Sequence, residues 1–550
     1  MLVIKVILFK RLTYMLRNKN LFVVFFSLFI SLSGILFFSC KKNGVAYWDV
    51  DLVAPIARGT LNIKNFFGDS LFQSDNSHIL HLKFSRKVAD LKVDTLVRLK
   101  DTTINYSFIA FFTATVNPNT MLFYKSEEID FQIPNDARLK YGIVREGTLK
   151  VKYLNTTRQP LLFKYELTSA RKNNVAFSVT EIIPPGTTPT YKQYKFDGYT
   201  LDFKGQNGNK YNTIVHSFTV YTAPNAQPDT VFFGQGITAD ISYEKIIPDY
   251  IEGYFGQQEF HIPYDSAAIG FSKTLETSNF QLNSASINFR IINDFGVDIQ
   301  GNLDTVMSIN TYSNSAVLLN SNALKNININ RATKTGNWTN PVNSTTTNIS
   351  ITTSNSNLKA FIENLPNYLG YSGKITVNPQ GNISATNDFA YYNTGLRIFA
   401  DVDVPLIFRA NYFRLQDNLD INFQNVAQLN NVNEGKIFFN VSNSYPFKVK
   451  MQGYLLDENN TVLDSLLLST NNTIEMAFTN SNNDVISPRN AQLVAYLNKS
   501  TIEHLKKSKK IKIVSYFYLP PSPPDIVIYD SYYLNLVITV DVNYRTVSNN

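Results

Sequence analysis

The sequence predicts an all-β protein made of tandem β-sandwich domains of the immunoglobulin-like kind, with one short helix in some of the repeats. Three observations predict this fold class. Tyr and Phe are abundant, at 31 and 40 of 550 residues, and both residue types favour strands. Short apolar runs alternate with polar residues, the pattern of a strand with one face in a core. Turn residues separate these runs at roughly 8 to 12 residues, as in sandwich domains.

Composition excludes several other classes of protein. A chain of 550 residues that is 44% hydrophobic is long enough for several packed cores, so disorder along the whole chain is excluded. A single cysteine excludes a disulfide framework and a zinc site made of cysteines. Five histidines leave little material for a histidine metal site. We therefore expect no cofactor.

The N-terminal end has the order of an export signal. Basic residues occur before position 20, an apolar run covers residues 21–38, and Ser39 precedes the only cysteine, Cys40. Residues 1–39 hold five basic residues and no acid, so the formal net charge of +8 falls to +3 without them. A charge this small does not indicate a nucleic-acid partner.

The segment Leu36-Phe37-Phe38-Ser39-Cys40 resembles the lipobox of a bacterial lipoprotein signal. The resemblance implies that residues 1–39 are a signal peptide and that Cys40 carries acyl chains, which hold a protein stably to a bilayer. Translation from Met15 instead of Met1 would give a more usual signal length. The alternative is an uncleaved membrane helix over the apolar run, which approaches the length needed to span a bilayer.

The residues after the cysteine bear on location. Lys41 follows Cys40, and in lipoproteins a residue other than Asp at this place implies transfer to the outer membrane. The acidic run that marks surface export in lipoproteins of the Bacteroidota type is absent from residues 41–44. We therefore expect a protein anchored by lipid in the outer membrane, on its periplasmic face, whose first partner is the membrane itself.

Three segments share one hairpin pattern: an alternating strand, an asparagine near a turn closed by Pro or Gly, and a second alternating strand. The asparagines of these segments are Asn155, Asn293 and Asn443. A second marker is an aspartate in a later strand, found at Asp240, Asp401 and Asp541. The aspartates follow the asparagines by 85, 108 and 98 residues, in the same order each time. We interpret these markers as three copies of one structural repeat.

The second and third copies each carry one short predicted helix. Apolar residues over 358–365 keep helical spacing. Ser500 and Glu503 form a capping box at the start of the other helix. A predicted strand follows each helix, over residues 371–377 and 510–516. The first copy shows no helix at the corresponding place.

The markers divide the chain into five parts. They are the signal peptide (1–39), an N-terminal β domain (40–135) and sandwich repeats over 136–245, 246–405 and 406–550. The last repeat contains Pro-Pro-Ser-Pro-Pro at residues 520–524. Because proline cannot donate to a strand ladder, these residues are predicted to leave the sheet at its edge as polyproline.

Motifs of known chemistry are missing from the sequence. It contains no nucleophile elbow, phosphate-binding loop, zinc-protease motif or dinucleotide-binding motif. Asp49 and Asp51 share one strand face beside Trp48 and form the best carboxylate pair for a glycosidase. The alternative is a solvent-exposed strand close to the lipid tether. His78 and His81 fall on opposite faces if they belong to one strand, which does not suit a metal site.

Two charged clusters have a functional and a structural interpretation. Residues 457–460 with Asp464 offer oxygen ligands for Ca²⁺, but a hairpin turn linking Leu455 to Val462 explains them more simply. Five lysines between Lys506 and Lys512 would contact anionic lipid headgroups or lipopolysaccharide. The alternative is a helix C-terminus followed by an edge strand, where lysines have structural roles.

Aromatic side chains that would bind sugars are predicted at two tyrosine pairs, Tyr391 and Tyr392, and Tyr532 and Tyr533. Aromatic residues on strands more often fill cores. We therefore expect a non-enzymatic lipoprotein that binds or scaffolds another component of the cell envelope, with an envelope protein as partner. One alternative is a glycan-binding accessory lipoprotein of a polysaccharide-uptake system. Another is an enzyme acting on an envelope polymer, with Asp49 and Asp51 as its candidates.

Overall fold

The structure is a computed structural model. It describes residues 23–24, 26–28, 46–63, 71–92, 99–269, 276–421, 432–467, 470, 472–481, 484–519 and 525–548. Antiparallel strands account for most of these residues, which confirms the predicted all-β class. Residues 23–24 and 26–28 are helical. Within the described ranges, no helix combines the length and the apolar character that a membrane span requires.

The first four strands belong to the N-terminal segment, residues 46–109. They are β1 (Ala46–Leu61), β2 (Phe72–Ser74), β3 (Leu80–Lys92) and β4 (Thr102–Ile109). The alternation of residue types sets their two faces: in β4 the rings of Tyr106 and Phe108 are buried, while Asn105 and Ser107 are exposed.

Unit 1 covers residues 114–254 and is made of strands and turns alone, all of them described. Its strands are β5 (Ala114–Val116), β6 (Met121–Asp130), β7 (Arg138–Asn155), β8 (Leu161–Lys172), β9 (Val175–Ile183), β10 (Thr190–Lys195), β11 (Thr200–Asp202), β12 (Thr213–Thr222), β13 (Asp229–Val231) and β14 (Gly236–Tyr254).

Unit 2 covers residues 258–405 and includes helix α1 (Leu358–Glu363). Its strands are β15 (Gln258–Ala268), β16 (Glu276–Ser278), β17 (Gln281–Leu282), β18 (Ser286–Asn293), β19 (Ile299–Asn310), β20 (Ser315–Leu318), β21 (Ile327–Ile329), β22 (Thr333–Lys334), β23 (Val342–Asn343), β24 (Thr345–Thr352), β25 (Tyr368–Val377), β26 (Asp388–Tyr391) and β27 (Gly395–Pro405).

Unit 3 covers residues 407–548 and includes helix α2 (Lys499–Lys507). Its strands are β28 (Ile407–Arg409), β29 (Tyr412–Asp420), β30 (Val432–Asn443), β31 (Lys448–Leu456), β32 (Val462–Ser465), β33 (Thr473–Ile474), β34 (Phe478–Thr479), β35 (Val485–Ser487), β36 (Arg489–Leu497), β37 (Lys510–Tyr518), β38 (Ile526–Val527) and β39 (Leu534–Ser548).

The three units share one strand order in both of their sheets. In unit 3 one sheet has the order β1-β39-β30-β36 and the other contains β29-β37-β31-β32. The matching sheets of unit 2 contain β3-β27-β18-β24 and β15-β25-β19-β20. In unit 1, β4-β14-β7-β10 and β6-β12-β8-β9 repeat this order, and β11 pairs with both β7 and β8. Buried residues alternate along these strands, as in β18, so each pair of sheets encloses a sandwich core.

The strands of the N-terminal segment do not form a sheet of their own. β1 pairs along its length with β39 of unit 3, β3 pairs with β27 of unit 2, and β4 pairs with β14 of unit 1. The structure therefore corrects the separate N-terminal β domain predicted over residues 40–135. Its described strands are distributed over three sandwiches, and each of them completes a sheet that would otherwise end at β39, β27 or β14.

The two ends of the described strand system meet at the base of unit 3. Ala46, the first residue of β1, lies opposite Ser548, the last residue of β39. At the other end of β1, Leu61 and Asn443 both lie opposite Leu534 of β39. β1 therefore runs from the base of unit 3 toward the turn that contains Asn443.

The next two N-terminal strands run in the same sense along units 2 and 1. Lys92 and Asn293 lie opposite neighbouring residues of β27, so β3 ends beside the asparagine turn of unit 2. Ile109 and Asn155 lie opposite neighbouring residues of β14, so β4 ends beside the asparagine turn of unit 1. The strands β1, β3 and β4 thus lie along units 3, 2 and 1 in turn, and the chain then returns through units 1, 2 and 3.

Shared sheets join the units end to end. Between units 1 and 2, β26 pairs with the last residues of β14. The fully buried Asp388 at the start of β26 accepts from the backbone amide of Phe255 at 3.0 Å and from Arg331 at 2.7 Å. Between units 2 and 3, β17, β28 and β38 form a three-stranded sheet. Each junction is therefore held by backbone ladders as well as side chains.

Both predicted helices are present, but one begins differently. Leu358 and Phe361 of α1 are buried at the predicted spacing. Helix α2 begins at Lys499, and Asn498 is its N-cap: the side chain accepts from the backbone amide of Thr501 at 2.9 Å. The predicted capping box with Ser500 as N-cap is therefore wrong by two residues.

Candidate functional site

Two loops lie side by side at the end of unit 1 that is farthest from Ala46. The first, residues 110–113, joins β4 to β5, and the second, residues 232–235, joins β13 to β14. Pairing of β4 with β14 and of β5 with β13 holds the loops together. We call this surface the distal tip and define it by the four phenylalanines of the loops, Phe111, Phe112, Phe232 and Phe233.

The four rings of the distal tip face solvent. Phe111, Phe112 and Phe233 are 81%, 73% and 72% exposed, and Phe232 is 38% exposed. The segments 109–114 and 231–236 contain no charged residue. Single exposed apolar residues are normal, but four exposed phenylalanines on two adjacent loops indicate a surface that binds a protein or a membrane.

The backbone of the second loop satisfies its own amides. Phe232 donates to the side-chain oxygen of Gln235 at 3.1 Å, and Phe233 donates to the hydroxyl of Thr113 at 3.1 Å. The amides of Gly234 and Gln235 donate to the carbonyl oxygens of Ala110 and Phe232, each at 3.0 Å. The phenylalanines are therefore carried on a loop whose shape is fixed by internal hydrogen bonds.

One cation stands beside the tip. The guanidinium of Arg158 lies over the ring of Phe232, 4.7 Å from its centroid. Arg158 belongs to the turn after Asn155, so the repeated asparagine turn of unit 1 places it there. A guanidinium stacked on an aromatic face can still direct its N–H donors toward an anion at its edge. The carboxylate of Asp229 is a nearby acid of the chain. Hydrogen bonds from Thr230 and Gln159 lower its pKa, and the charge of Arg158 adds to this effect.

The three predicted asparagine markers make the same set of hydrogen bonds. Each side-chain amide donates to the carbonyl four residues on, at 2.8 Å for Asn155, 3.2 Å for Asn293 and 3.0 Å for Asn443. Each also donates to a carbonyl of a later segment, and each side-chain oxygen accepts from the amide two residues on. All three are buried. They are structural residues at equivalent places in the three units.

The three aspartate markers lie on equivalent strands of the three units and on the same face of these strands. Their distances along the strand from the asparagine turn differ. Asp240 lies on β14 opposite Lys152, three residues before Asn155. Asp401 and Asp541 lie on β27 and β39, five and seven residues from the position opposite their asparagines. Odd offsets keep the aspartates on one face. They form surface contacts, such as the 3.1 Å pair of Asp401 with Arg290, and do not form a common site.

The remaining residues predicted for chemistry lie apart from one another. Cys40 lies outside the described residues. Asp49 and Asp51 are exposed on β1, and Asp51 accepts from Asn543 of β39 at 3.0 Å. Their strand is therefore a solvent-facing one. Over the described part of the chain, no group of three or more His, Cys, Asp or Glu side chains is placed to hold a metal ion.

Of the two histidines predicted to lie on one strand, only His81 does so. His78 lies in a turn before β3, with a φ of 62° and 77% exposure, so the alternation rule does not apply to it. His81 is on the strand, and its Nδ1 lies 2.6 Å from a carboxylate oxygen of Asp403. His216 is fully buried in unit 1, 3.1 Å from the hydroxyl of Tyr106. Burial lowers the pKa of His216 to about 4.

The predicted calcium ligands form a turn. Asp457 accepts from the amides of Asn459 and Thr461 at 2.9 and 2.7 Å, which closes the hairpin between β31 and β32. Asp464 pairs with His504 of α2 at 3.0 Å. These carboxylates therefore stabilise a hairpin and its contact with a helix.

The lysine cluster divides between a helix end and a central strand. Lys506 and Lys507 lie in the last turn of α2, and Lys506 pairs with Glu503 at 2.6 Å. Lys510 and Lys512 lie on β37, which has β29 on one side and β31 on the other. The predicted edge strand is therefore wrong, because β37 is inside its sheet.

Only part of the predicted aromatic surface faces solvent. Tyr532 is buried, with its ring 5.7 Å from that of Tyr445. Tyr391 instead joins a cluster at the junction of units 1 and 2, with its centroid 4.7 Å from Tyr250 and 5.5 Å from Trp338. Trp338 is 60% exposed. Glu252 and Lys334 pair at 2.6 Å beside this cluster. We call Trp338, Tyr391 and Tyr250 the junction cluster.

A polar cleft lies at the top of unit 2. It has a volume of about 360 Å³ and is lined by residues that include Asp90, Lys92, Asp294, Tyr392 and Arg397. The carboxylate of Asp294 accepts two hydrogen bonds from Arg397, at 3.1 and 2.9 Å, and one from the hydroxyl of Ser344 at 2.6 Å. The guanidinium of Arg145 covers one face of Tyr392 at 4.0 Å. These pairings are those of a structural junction.

The distal tip was not among the sites predicted from sequence, although the sequence contains a signal for it. Phe111-Phe112 and Phe232-Phe233 are phenylalanine doublets next to glycine, threonine and alanine residues. In a strand two adjacent residues point to opposite faces, so one ring of each doublet has no place in a core. Such doublets between predicted strands indicate exposed rings.

Comparison with known proteins assigns the chain to no family. No family model matches the chain, and no curated protein matches it. Among solved structures, a candidate secreted protein of Parabacteroides distasonis matches with a TM-score of 0.26 and 9% identity, over 90% of this chain and 99% of that one. Empty particles of cowpea mosaic virus match with a TM-score of 0.16 and 8% identity, over 56% and 89% of the two chains. TM-scores this low support no inference.

Proposed function

We propose that this protein is a non-enzymatic lipoprotein of the bacterial outer membrane, anchored through Cys40. In this proposal its three sandwich units form a stalk, and the stalk presents the distal tip to a second component of the cell envelope. The observation that carries the proposal is the pairing of Ala46 with Ser548 at the base of unit 3. Ala46 lies six residues after Cys40 in the sequence and at the opposite end of the molecule from the four phenylalanines.

The distances support this arrangement. Cys40 precedes Ala46 by six residues, which reach at most roughly 20 Å even when fully extended. The 16 residues of β1 alone span about 50 Å along unit 3, and units 2 and 1 follow beyond it. A lipid on Cys40 would therefore hold the base of unit 3 at the bilayer, with the tip well away from it.

Acylation and sidedness are tested together by labelling cells with radioactive palmitate. We expect the wild type to incorporate label and to fractionate with outer membranes, and Cys40→Ala to lose both properties. Protease added to intact cells should leave a periplasm-facing protein uncut until the outer membrane is opened. Unlabelled wild type, or Cys40→Ala that still fractionates with outer membranes, would refute the anchor.

A second candidate function is glycan capture, and the junction cluster favours it. Trp338 presents an exposed indole beside Tyr391, next to the Glu252–Lys334 pair that offers polar groups at its edge. An aromatic face bordered by polar groups suits a sugar ring, which has one apolar and several polar edges. A glycan array with wild type and Trp338→Ala tests this: retention of a glycan by wild type alone supports capture, and a blank array excludes it.

A further inference from the structure

The chemistry of the distal tip narrows the class of its partner. Protein interfaces combine aromatic residues with direct hydrogen bonds, about one per 100 to 200 Å². The second tip loop offers few donors for such bonds, because the four amides from Phe232 to Gln235 are already used inside the tip. A loop that carries phenyl rings and has its amides bonded internally is poorly suited to a hydrogen-bonded protein interface.

The same features meet the requirements of a bilayer. In hydrocarbon an unsatisfied backbone amide costs several kcal/mol, and the second tip loop carries Phe233 with its own amides already bonded. The absence of charged residues from both tip loops removes the other large barrier to insertion. Arg158 lies at the side of the patch, over Phe232, where its guanidinium would reach lipid phosphate groups while the rings enter the bilayer.

We propose that the partner of the distal tip is a lipid bilayer, into which Phe111, Phe112 and Phe233 insert while Arg158 contacts a lipid phosphate. The proposal rests on the proposed function, because that function makes the tip the binding end of an anchored stalk. Since the tether and the tip lie at opposite ends, the bilayer at the tip is a different one from the bilayer that holds Cys40. The protein would therefore join two lipid surfaces.

A vesicle-bridging experiment with the full acylated chain tests this proposal. The protein is reconstituted into biotinylated phosphatidylcholine vesicles, which are then mixed with dye-labelled vesicles of phosphatidylcholine and phosphatidylglycerol. We expect the wild type to capture dye-labelled vesicles on streptavidin beads, and the triple variant Phe111→Ser, Phe112→Ser, Phe233→Ser to lose at least about tenfold of the capture. Tyr496→Ser is the matched control, because it removes a ring of 70% exposure from unit 3.

The outcomes separate failure of the inference from failure of the anchor. Failure of the acylated triple variant to float with its own biotinylated vesicles refutes the anchor, because this variant lacks the rings that would hold its tip on a bilayer. Wild type that floats but captures no dye-labelled vesicles would overturn the bilayer partner. A triple variant that captures these vesicles as well as the wild type does would overturn it too. Circular dichroism and a thermal melt of the triple variant establish that it is folded. A folded protein is expected, because the replaced rings are exposed.

A second measurement does not depend on acylation. In Phe112→Trp the indole emission of the purified protein should shift to shorter wavelength when plain vesicles are added, whereas Tyr496→Trp should show no shift. In cells, a photo-crosslinking amino acid in place of Phe112 should give lipid adducts. A single protein adduct of defined mass, without an emission shift, would overturn the proposal in favour of an envelope protein as partner.

Discussion

At the scale of single residues, one side-chain amide organises each turn. Asn155, Asn293 and Asn443 each bridge two carbonyl oxygens and one backbone amide while buried. Asparagine is suited to this position because its side chain carries two donors and an acceptor in one plane. The hairpin pattern in the sequence identified these three residues, since a buried polar group with fixed partners restricts the residue type at its position.

Replacing one of these asparagines should destabilise its unit. In Asn293→Ala the carbonyl oxygens of Val297 and Asn330 lose their donor, and each buried unsatisfied group costs energy. We expect the free energy of unfolding to fall by about 3 kcal/mol, measured by urea denaturation. Asn348→Ala, at an exposed position of β24, should change it by less than about 0.5 kcal/mol. Equal effects at the two positions would contradict the structural role.

His216 should make stability depend on pH. Its folded pKa of about 4 lies below the value of 6.5 for a free histidine, so the unfolded chain takes up the proton first as pH falls. Stability should therefore be complete above about pH 6.5, decrease toward pH 4 and then level off, by on the order of 3 kcal/mol in all. The groups that face the ring are Tyr106, Glu127 and Lys125.

Denaturation curves at several pH values test this dependence. The wild type should lose stability between pH 6.5 and pH 4 more steeply than His216→Gln, in which this proton site is missing. Carboxyl groups away from His216 titrate in both proteins and cancel in the difference, so the difference reports on His216 together with its neighbour Glu127. A difference between the two proteins that does not vary with pH would mean that His216 has the same pKa in the folded and the unfolded chain, and would contradict the prediction.

At the scale of elements, helix α2 shows how a local pattern can mislead. Ser500 and Glu503 have the spacing of a capping box, but Asn498 precedes them and has a side-chain oxygen that reaches the same first-turn amides. Glu503 instead pairs with Lys506 one turn later. The existence of the helix followed from its sequence, whereas its first residue depended on a competition between two good N-caps.

The two candidate N-caps, Asn498 and Ser500, predict different effects of an alanine substitution on stability. Asn498→Ala should reduce the stability of the protein by about 1 kcal/mol, since it removes the acceptor for the amide of Thr501. Ser500→Ala should change stability by no more than a few tenths of a kcal/mol, because Ser500 is an exposed helical residue. Thermal melts of the two variants decide between the caps. A larger loss for Ser500→Ala would support the capping box.

The strands divide into what alternation could predict and what it could not. Period-two patterns identified the strands after both helices, because one face of each is buried. They could not identify partners: β37 was expected at an edge and is central, and the three aspartates were aligned although their registers differ. Alternation specifies which face of a strand is buried, but it carries no information about the neighbouring strand in the sheet. It therefore cannot predict the pairing of strands that are hundreds of residues apart.

At the scale of the whole molecule, the N-terminal segment ties all three units together. Because β1, β3 and β4 belong to different sandwiches, no unit is complete without residues from the first fifth of the chain. The distal tip depends on this arrangement as well, since one of its two loops follows β4. Neither feature was predicted, because both arise from pairing between distant segments.

A disulfide between the first and last strands tests this topology. Asp51 and Asn543 are directly opposite each other on β1 and β39, and such pairs have Cα atoms about 4.5 to 5.5 Å apart, within the range for a disulfide. In a Cys40→Ala background, Asp51→Cys with Asn543→Cys should oxidise to a form that migrates faster on non-reducing gels. Asp51→Cys with Asp240→Cys is the control. A separate N-terminal domain would leave both pairs reduced.

The pairing of the first strand with the last also sets the order in which the protein can fold. Synthesis at roughly 5 to 20 residues per second delivers β14, β27 and β39 in that sequence, so unit 1 closes first and unit 3 last. β1 emerges before all of them and waits for the final residues of the chain with its backbone unpaired. An unpaired strand is prone to aggregate, so we expect β1 to be a site of aggregation for as long as β39 is not available to pair with it.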